Sequence, residues 1–498
     1  MNIAIIHTRA LVGLEAPSVT VEVHLSPGAP GLFIVGLPEA SVKESKDRVR
    51  SAILNSGFTW PYNKRIIVNL APADLPKQGS RFDLPIAIGI LQASNQLQCD
   101  DLDKYEFFGE LGLSGDIRWV PGLLPAAIQS HRTLIIPRAN AVSPFPKHAT
   151  GMSTESLNEL GQFLNQAGQQ PPCESHISVD QTDYTVDMSD VKGQPLAKRA
   201  LEIAAAGGHN LLMVGSPGTG KTMLAKRLPT ILPMLQENEA IEVHAVASLS
   251  NNTALEHNQC CRPYRAPHHS ASSVALVGGG SIPKPGEITL AHHGVLFLDE
   301  LPEYDRRVIE VLREPLESGS VSIARANAQV TFPAKFQLIA AMNPCPCGYA
   351  MDPIHSCSCN PDQIKRYRSK ISGPILDRID LQIPVPSLSL TDIKALPTGE
   401  SSEAIRERVA NCRARQIQRQ GKPNHQLTST EVDTLLTIDE DAVQLMEKIS
   451  IKFGLSMRSF YKIIKVAQTI ADLAQANSIA KSHIAEASQY RFNQPSPR

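Results

Sequence analysis

The sequence predicts an α/β protein in which a parallel sheet lies between helices, preceded by an α+β region and followed by a helical one. Three near-continuous apolar runs, NLLMV, GVLFLDE and FQLIAAMN, are typical of strands that are buried on both faces of a parallel sheet. The N-terminal third instead contains short alternating runs, such as VTVEVHL, GLFIVGL and TLIIP, with helical stretches between them. Near the C-terminus, DAVQLMEKISIKFG and SFYKIIKVAQTIADLAQANS repeat apolar residues at helical spacing.

These patterns divide the chain into three predicted domains. Residues 1–165 form the α+β domain, residues 186–390 the α/β core and residues 391–498 the helical domain. Residues 166–185 are polar, contain a Pro pair and show no periodicity, and we interpret them as a linker. At 498 residues the chain has enough material for several independent cores.

Composition favours a protein of the reducing cytoplasm. The N-terminus, MNIAIIHTRALVGLEAP, lacks the regions of a signal peptide, and no apolar run reaches the length of a membrane-spanning helix. The cysteines number nine, an odd count, and four of them cluster in one segment, which is atypical of a disulfide framework. The net charge of −1 gives no overall basic field, so binding to DNA would require local positive charge.

A phosphate-binding loop is the strongest motif in the chain. The strand NLLMV leads into a glycine-rich segment and then into the helix MLAKRLPTIL, which is the order that a P-loop requires. The loop consists of Gly215, Ser216, Pro217, Gly218, Thr219, Gly220, Lys221 and Thr222. Its glycines allow backbone N–H groups to converge on phosphate oxygens, at a helix N-terminus that favours anions. We expect Lys221 to reach the β- and γ-phosphates of ATP and the Thr222 hydroxyl to ligate Mg²⁺.

Polar side chains follow the next two buried strands. The run VLFLDE ends in Asp299 and Glu300, which in combination with the P-loop indicate a Walker B motif. We expect Asp299 to hold the Mg²⁺ shell and Glu300 to polarise the attacking water. Asn343 closes the strand FQLIAAMN, where a polar residue is often only a turn residue, but here stands where a sensor of the γ-phosphate or water is expected.

Four cysteines in one short segment form a candidate metal site. They are arranged as two C-x-C pairs with nine residues between them, and comprise Cys345, Cys347, Cys357 and Cys359. Four thiolates can complete a tetrahedral Zn²⁺ site, and such a site would be structural because no position stays open for a substrate. Free thiols or a transient redox pair are the alternatives for this segment.

Several long motifs of the chain resemble those of a known family. From the P-loop through GGGSIPKPGEITLAHHGVLFLDELPEY, VLREPLESGSVSIARA, AAMNPCPCGY and SGPILDRIDL, the chain resembles the magnesium-chelatase-like AAA+ proteins of the ComM/YifB type. The resemblance covers nearly the whole chain. It implies an AAA+ core with a helical lid and a homo-hexameric ring with ATP bound between subunits. It further implies action on DNA as a branch-migration helicase in natural transformation.

The resemblance also implies roles for three arginines. Arg378 in ILDRID would be the arginine finger that a neighbouring subunit supplies to the γ-phosphate, and Arg458 in GLSMRSFYKII the second sensor on the lid. Arg325, in a hairpin of the kind that lines the ring pore, would contact DNA phosphates. Without the family match, an ion pair would be the ordinary interpretation of Arg378 and a helix-start position that of Arg458. The pairs His268-His269 and His292-His293 are interpreted as hydrogen-bonded structural histidines in preference to metal ligands.

The N-terminal domain resembles the proteolytic domain of Lon, a fold shared with ribosomal S5-type domains, through FFGELGLSGDIRWVPGLLPAAIQSHRTLIIP and PKQGSRFDLPIAIGIL. In the segment that matches the nucleophile motif, Ser80 lies one residue away from the nucleophile position. The segment that matches the base motif reads Gly122-Leu123-Leu124 and has no lysine. Because both members of the catalytic pair are missing, the domain is predicted to be non-proteolytic.

Three functions therefore remain open from the sequence. The first is an ATP-driven ring motor on DNA, and the second is the motor subunit of a metal chelatase, which the AAA+ signature fits equally well. The appended Lon-like domain and the cysteine cluster favour the first over the second. The third, a Lon-like peptidase, is opposed by the missing catalytic pair.

Overall fold

The computed structural model describes residues 3–141, 145–166, 184–250, 260–280, 283–325, 328–352, 354–387, 397 and 399–492. The chain divides into two compact units, the first comprising Met1–Asp180 with Gln236–Cys260 and the second Gln181–Leu235 with Cys261–Arg498. The segment Gln236–Cys260, which the sequence assigns to the α/β core, thus groups with the N-terminal unit. The predicted linker lies almost entirely outside the described residues, and the division into three domains stays a prediction.

The first unit is built on a mixed seven-stranded sheet in the order β3-β4-β2-β1-β5-β8-β9, with a small ribbon of β6 and β7. Strands β1, β2 and β4 pair antiparallel, and the remaining neighbours pair parallel. The strands are β1 (Ile3–Arg9), β2 (Ser18–Ser26), β3 (Gly31–Val35), β4 (Arg65–Ala71), β5 (Tyr105–Phe107), β6 (Glu110–Leu111), β7 (Ile117–Arg118), β8 (Thr133–Pro137) and β9 (Gly151–Thr154). The α-helices are Ala40–Lys43, Ser45–Asn55, Asp83–Ala93, Leu123–Gln129, Leu157–Gln166 and Glu237–Ala247.

The core of this unit follows from strand alternation. In β2, every second residue from Val19 to Leu25 is buried, as the run VTVEVHL predicts. The apolar helix Asp83–Ala93 packs on β1 and β2. A Cβ at Gly89 would lie 2.5 Å from the Val23 side chain, so only glycine permits this close approach of helix and sheet.

The second unit contains a five-stranded sheet in the order β11-β14-β17-β10-β18, and all its neighbouring strands are parallel. Its strands, with two antiparallel ribbons, are β10 (Leu211–Val214), β11 (Tyr264–Arg265), β12 (Gly278–Gly279), β13 (Lys284–Pro285), β14 (Val295–Leu298), β15 (Ser320–Arg325), β16 (Ala328–Pro333), β17 (Gln337–Met342) and β18 (Leu381–Pro384). Every residue of β10, β14 and β17 is buried. The predicted α/β fold with a covered parallel sheet is confirmed.

Helices cover this sheet and continue into the C-terminal region. The helices around the sheet are Pro195–Gly207, Lys221–Ile231, Ser273–Val277, Glu287–Leu290, Arg306–Glu310, Arg313–Ser318, Pro361–Arg368 and Gly373–Leu376. The C-terminal helices are Ser402–Gln420, Ser429–Leu435, Glu440–Phe453, Met457–Leu473 and Lys481–Phe492. They pack on the α/β core and share one hydrophobic cluster with it. Among the described residues, no helix combines the length and apolar character needed to cross a membrane.

A buried polar network joins the C-terminal helices to the sheet. The Lys462 ammonium lies 2.8 Å from a carboxylate oxygen of Asp380, the residue just before β18. His209, just before β10, is buried, and its Nε2 lies 2.8 Å from the hydroxyl of Thr469. Both contacts reach the helix Met457–Leu473, so this helix is held at the amino ends of β10 and the neighbouring edge strand β18.

Candidate functional site

The phosphate loop lies at the carboxyl end of β10 and leads into the helix Lys221–Ile231. Gly218 and Gly220 have φ values of 77° and 88°, in the left-handed region that glycine adopts without strain. Gly220 forms the N-cap of the helix, so the loop presents free backbone N–H groups and the positive end of the helix dipole together. This is the local geometry that binds a phosphate.

Lys221 lies buried within the loop. Its ammonium donates to the carbonyl oxygens of Gly215, at 2.6 Å, and Ser216, at 2.9 Å, and to Oδ1 of Asn343, at 3.2 Å. Burial lowers the pKa of the lysine, while the nearby carboxylates of Asp299 and Glu300 oppose that shift. The structure thus brings the lysine, the loop and the predicted sensor residue into one cluster.

The two carboxylates that follow β14 complete this cluster. The Thr222 hydroxyl donates to Oδ2 of Asp299 at 2.5 Å, although 77 residues separate the two in sequence. The other oxygen of Asp299 accepts the backbone N–H of Glu300 at 2.9 Å. Glu300 has a φ of 51°, and its carboxylate lies 3.1 Å from Nδ1 of His269. Because β14, β17 and β10 are adjacent and parallel, their carboxyl ends bring these side chains to one edge of the sheet.

Arg378 and Arg458 form a separate cluster on a single carboxylate. Both guanidinium groups pair with the same oxygen of Glu317, Arg378 through a short contact and Arg458 at 2.7 Å. The hydrogen bonds from Arg458 and Arg378 lower the pKa of Glu317. The Arg378 side chain is buried and also donates to the Pro374 carbonyl at 2.6 Å, whereas Arg458 and Glu317 are half exposed.

The backbone of Arg378 lies where strands β10 and β18 begin, at the opposite end of these strands from the phosphate loop. Its carbonyl accepts from the side chain of Asn210 at 3.0 Å, and Asn210 immediately precedes β10. Leu211 pairs with Leu381, so the amino ends of β10 and β18 coincide. The phosphate loop starts after the carboxyl end of β10, about 10 Å further along a strand of four residues.

The four clustered cysteines have their sulfur atoms close together. The Sγ atoms of Cys345, Cys347 and Cys357 are 3.4, 3.5 and 3.6 Å apart, and all four Sγ atoms, including that of Cys359, lie within 4.8 Å of one another. In a tetrahedral site with Zn–S bonds of about 2.3 Å, sulfur atoms are about 3.8 Å apart, so the donor set fits zinc. The backbone N–H of Tyr349 lowers the pKa of Cys347 to about 5. None of the eight cysteines among the described residues forms a disulfide.

Comparisons with known proteins show the family of the chain. Family models described as "Magnesium chelatase, subunit ChlI", "Subunit ChlI of Mg-chelatase" and "Magnesium chelatase, subunit ChlI C-terminal" match residues 187–393, 21–140 and 399–491. Competence protein ComM of Haemophilus influenzae is 50% identical over 99% of the chain and 98% of its own length. The uncharacterized protein YifB of Escherichia coli is 48% identical over 99% of the chain and 97% of its own length. The chain is a ComM/YifB-type member of the magnesium-chelatase-like AAA+ ATPases.

Membership of this AAA+ family implies ATP and Mg²⁺ as ligands, and AAA+ proteins commonly assemble into oligomeric rings. The likeness to chelatase subunits themselves is more restricted. The magnesium-chelatase 38 kDa subunit of Cereibacter sphaeroides is 25% identical over 31% of the chain and 52% of its own length.

Arg325 is the remaining residue of the predicted site. Strands β15 and β16 form the predicted hairpin, with Arg325 at the end of β15. The side chain of Arg325 and residues 326–327 lie outside the described part of the chain, so its contact with DNA stays a prediction.

The segments that match the Lon motifs are occupied by other contacts. The Ser80 hydroxyl forms a short hydrogen bond with Glu110, and the buried Lys77 ammonium donates to the Pro72 carbonyl. Gly122 forms the N-cap of the helix Leu123–Gln129, whose second residue, Leu124, is buried. Ser80 therefore has a carboxylate partner, and the non-proteolytic interpretation of this domain stays a prediction.

Sequence reasoning missed two residues of the site. Glu317 carries no local signal, because a glutamate near the end of an exposed helix is common. His269 was interpreted as a structural histidine, but its ring faces the carboxylate of Glu300. Two of the other histidines form hydrogen bonds of the kind that interpretation requires: His268 lies 2.8 Å from the Ser270 hydroxyl, and His292 accepts the Lys335 N–H at 3.0 Å.

Proposed function

We propose that the chain is an ATP-hydrolysing ring motor that acts on DNA, as a branch-migration helicase that promotes recombination of incoming DNA in natural transformation. The observation that carries the ATPase part is the contact between Thr222 and Asp299 beside the Lys221 ammonium. Hydroxyl and carboxylate oxygens are the ligands that Mg²⁺ prefers, and a lysine within a loop of backbone N–H groups is suited to a triphosphate.

The residues around this contact have distinct roles in the proposal. Thr222 and Asp299 hold Mg²⁺, which neutralises charge on the β- and γ-phosphates when bound. Glu300 accepts the proton of the attacking water, and the His269 ring 3.1 Å away orients its carboxylate. Asn343, within reach of Lys221, senses the γ-phosphate or the water.

Arg378 acts in the proposal as the arginine finger on the nucleotide of a neighbouring subunit, and Arg458 as the second sensor on the lid. Their shared partner Glu317 keeps the two guanidinium groups side by side. Arg378 lies at the amino ends of the strands, remote from its own phosphate loop. We therefore infer that its guanidinium group contacts the nucleotide of a second subunit. Subunits that donate arginines to their neighbours form a closed ring, which we infer to be a homo-hexamer.

The DNA part of the proposal is supported by the extent of the likeness to ComM. A competence protein that matches 99% of the chain is a stronger guide than a chelatase subunit that matches 31%. The β15–β16 hairpin with Arg325 provides a candidate pore element for phosphate contacts. A chelatase motor subunit remains the alternative, since the AAA+ core is common to both.

ATPase assays with and without branched or single-stranded DNA test the proposal. We expect DNA to stimulate ATP hydrolysis and the protein to move a four-way junction only when ATP is hydrolysed. The Glu300→Gln variant should bind ATP normally but turn over about 10²-fold or more slowly and fail to move the junction. Glu303→Gln, a neighbouring glutamate that pairs with Lys370, is the matched control.

Other outcomes identify the alternatives. No response to DNA, combined with stimulation by chelatase partner subunits, supports a chelatase motor. Cleavage of peptides would support a peptidase. Normal turnover by Glu300→Gln would contradict the role of that residue.

The four cysteines are proposed to hold a structural zinc ion. Metal analysis of protein purified without chelators should give about one zinc per chain. Cys357→Ser should lose the metal, whereas Cys99→Ser, which changes a free thiol of the other unit, should retain it. Four freely titrating thiols in metal-free wild-type protein would contradict the site.

A further inference from the structure

The cysteine segment, which runs from Cys345 to Cys359, begins just after strand β17 and packs against the phosphate loop. Asn343 closes β17, and Cys345 lies only two residues later. Gly348, between the first two cysteines and the second two, has a φ of 88°. A Cβ at Gly348 would lie 2.6 Å from Cδ of Pro217, so the backbone of the cysteine segment touches the proline of the phosphate loop.

Asp352 provides a second link between the same two segments. Its carboxylate accepts the backbone N–H groups of Ile354 at 2.8 Å and His355 at 2.9 Å, and it lies close enough to the Ser216 side chain for that side chain to help lower its pKa. The two backbone bonds, from His355 first, lower the pKa of Asp352 to about 2, so the group is a carboxylate at neutral pH. The Ser216 carbonyl in turn accepts from Lys221 at 2.9 Å. A continuous set of contacts therefore leads from the cysteine segment to the phosphate-binding lysine.

The cysteine segment has no regular secondary structure of its own among its described residues. Between Cys345 and the helix that begins at Pro361 the structure has no helix or strand among the described residues. The segment is exposed or half-exposed there, apart from Cys345 and Gly348. A short segment without an apolar core of its own depends on a cross-link such as a bound metal to hold one conformation.

We propose that metal binding by the four cysteines braces the phosphate loop, so that the affinity for ATP depends on the zinc site. With zinc bound, residues 345–359 are fixed and hold Ser216 and Pro217 in the conformation that receives phosphate. Without it, the contacts from Gly348 and Asp352 are lost, and the loop has more conformations to give up on binding nucleotide. This inference rests on the proposed ATP site and on the proposed zinc site.

The test measures the Kd of a fluorescent ATP analogue, in excess Mg²⁺, for full-length protein as purified, stripped of zinc, and reloaded with zinc. Zinc is removed with a chelator under reducing conditions, and the chelator is then removed. We expect affinity to fall about tenfold on stripping and to recover on reloading, the effect of losing roughly one charge-assisted hydrogen bond. Melting temperatures on the same samples show that the chain remains folded.

Two variants and a control distinguish the effect of the contacts from the effect of the metal. Asp352→Ala should keep about one zinc per chain and still lose about tenfold in affinity, because it removes the carboxylate beside Ser216 and its bonds to Ile354 and His355 without removing a thiolate. Cys357→Ser should lose both zinc and affinity. Cys99→Ser should retain both.

Different results overturn different claims. Equal ATP affinity in zinc-loaded and stripped protein overturns the brace, while leaving the ATP site and the zinc site intact. Unchanged affinity in Asp352→Ala overturns the route through Ser216 and with it the proposed brace. Wild-type protein that contains no metal overturns the brace together with the zinc site. Zinc-loaded protein that binds no nucleotide overturns the proposed ATPase itself.

Discussion

Two charged clusters in the second unit differ in how the chain assembles them. The phosphate-loop cluster gathers Lys221, Asp299 and Asn343 at the carboxyl edge of the sheet, around a buried ammonium. The arginine cluster joins Arg378 and Arg458 through a half-exposed glutamate, near the amino end of β18. The side chains of the first cluster all come from one chain, and their arrangement is suited to binding a nucleotide. The second carries a net positive charge, with Arg458 half exposed and Arg378 buried, and we propose that it contributes to the site of another subunit.

Removing the lysine of the first cluster should have the largest effect. Lys221→Ala is expected to abolish detectable binding of ATP, because the loop loses its only side-chain cation toward the phosphates. Equilibrium binding of a fluorescent ATP analogue measures this. Lys226→Ala, an exposed position on the same helix, should bind as wild type does. Retained binding in Lys221→Ala would contradict the assignment of the phosphate site.

Removing the buried arginine of the second cluster should spare binding and impair hydrolysis. Arg378→Ala is expected to lower ATP turnover by about 10³-fold with little change in Kd, as loss of an arginine finger does. Steady-state ATPase and nucleotide binding are measured on the same preparation. Arg366→Ala, an exposed arginine, serves as the control.

Mixing variants tests whether Arg378 acts across subunits. Arg378→Ala mixed with Glu300→Gln should recover part of the ATPase activity, because some interfaces then combine an intact Glu300 with an intact Arg378. If the arginine acts within its own chain, no mixture recovers activity. That result would contradict the proposal that the arginine cluster, unlike the phosphate-loop cluster, serves a neighbouring subunit.

Neutralising the shared carboxylate should have a smaller effect. Glu317→Gln is expected to lower turnover by about tenfold at unchanged Kd, because the two arginines lose the charge that aligns them. Glu314→Gln, on the same short helix, should behave as wild type. A change in Kd instead of turnover would place Glu317 in the binding cluster.

The smallest effect concerns the network that holds the helix of Arg458. Burial lowers the pKa of His209 below its ordinary value of 6.5, and the neighbouring charges of Lys465 and Arg413 lower it further, whereas Asp380 opposes the shift. As the pH falls through about 6.5, His209 therefore gains a proton in the unfolded chain but stays neutral in the folded chain. The stabilising contribution is complete above about pH 6.5 and is lost as the pH falls below it, by at most about 1.4 kcal/mol per pH unit.

Thermal unfolding between pH 7.5 and 5.5 measures this slope. His209→Gln should reduce the loss of stability on acidification, whereas His131→Gln, at an exposed position, should leave it unchanged. An equal slope in wild type and His209→Gln would show that another group governs the acid response.

The nucleotide cluster was largely predictable because its signals are local. A glycine-rich loop between strand and helix, and a buried strand that ends in two carboxylates, each show their chemistry in a few consecutive residues. The parallel sheet predicted from the same strands explains why Thr222 and Asp299 meet. The contact of Glu300 with His269 was not predictable, since nothing in RAPHHS indicates which carboxylate its second histidine faces.

By itself, the sequence determined the fold class, the phosphate loop, the carboxylate pair and the set of four cysteines, since residue type and short spacing suffice for these. Only the tertiary structure decided that Glu317 joins Arg378 to Arg458, that Arg378 stands at the far edge of the sheet, and that Gly348 and Asp352 contact the phosphate loop. The physical reason is that these contacts join segments far apart in the chain. Which segments meet is set by the packing of the sheet and its helices, and no local periodicity records it.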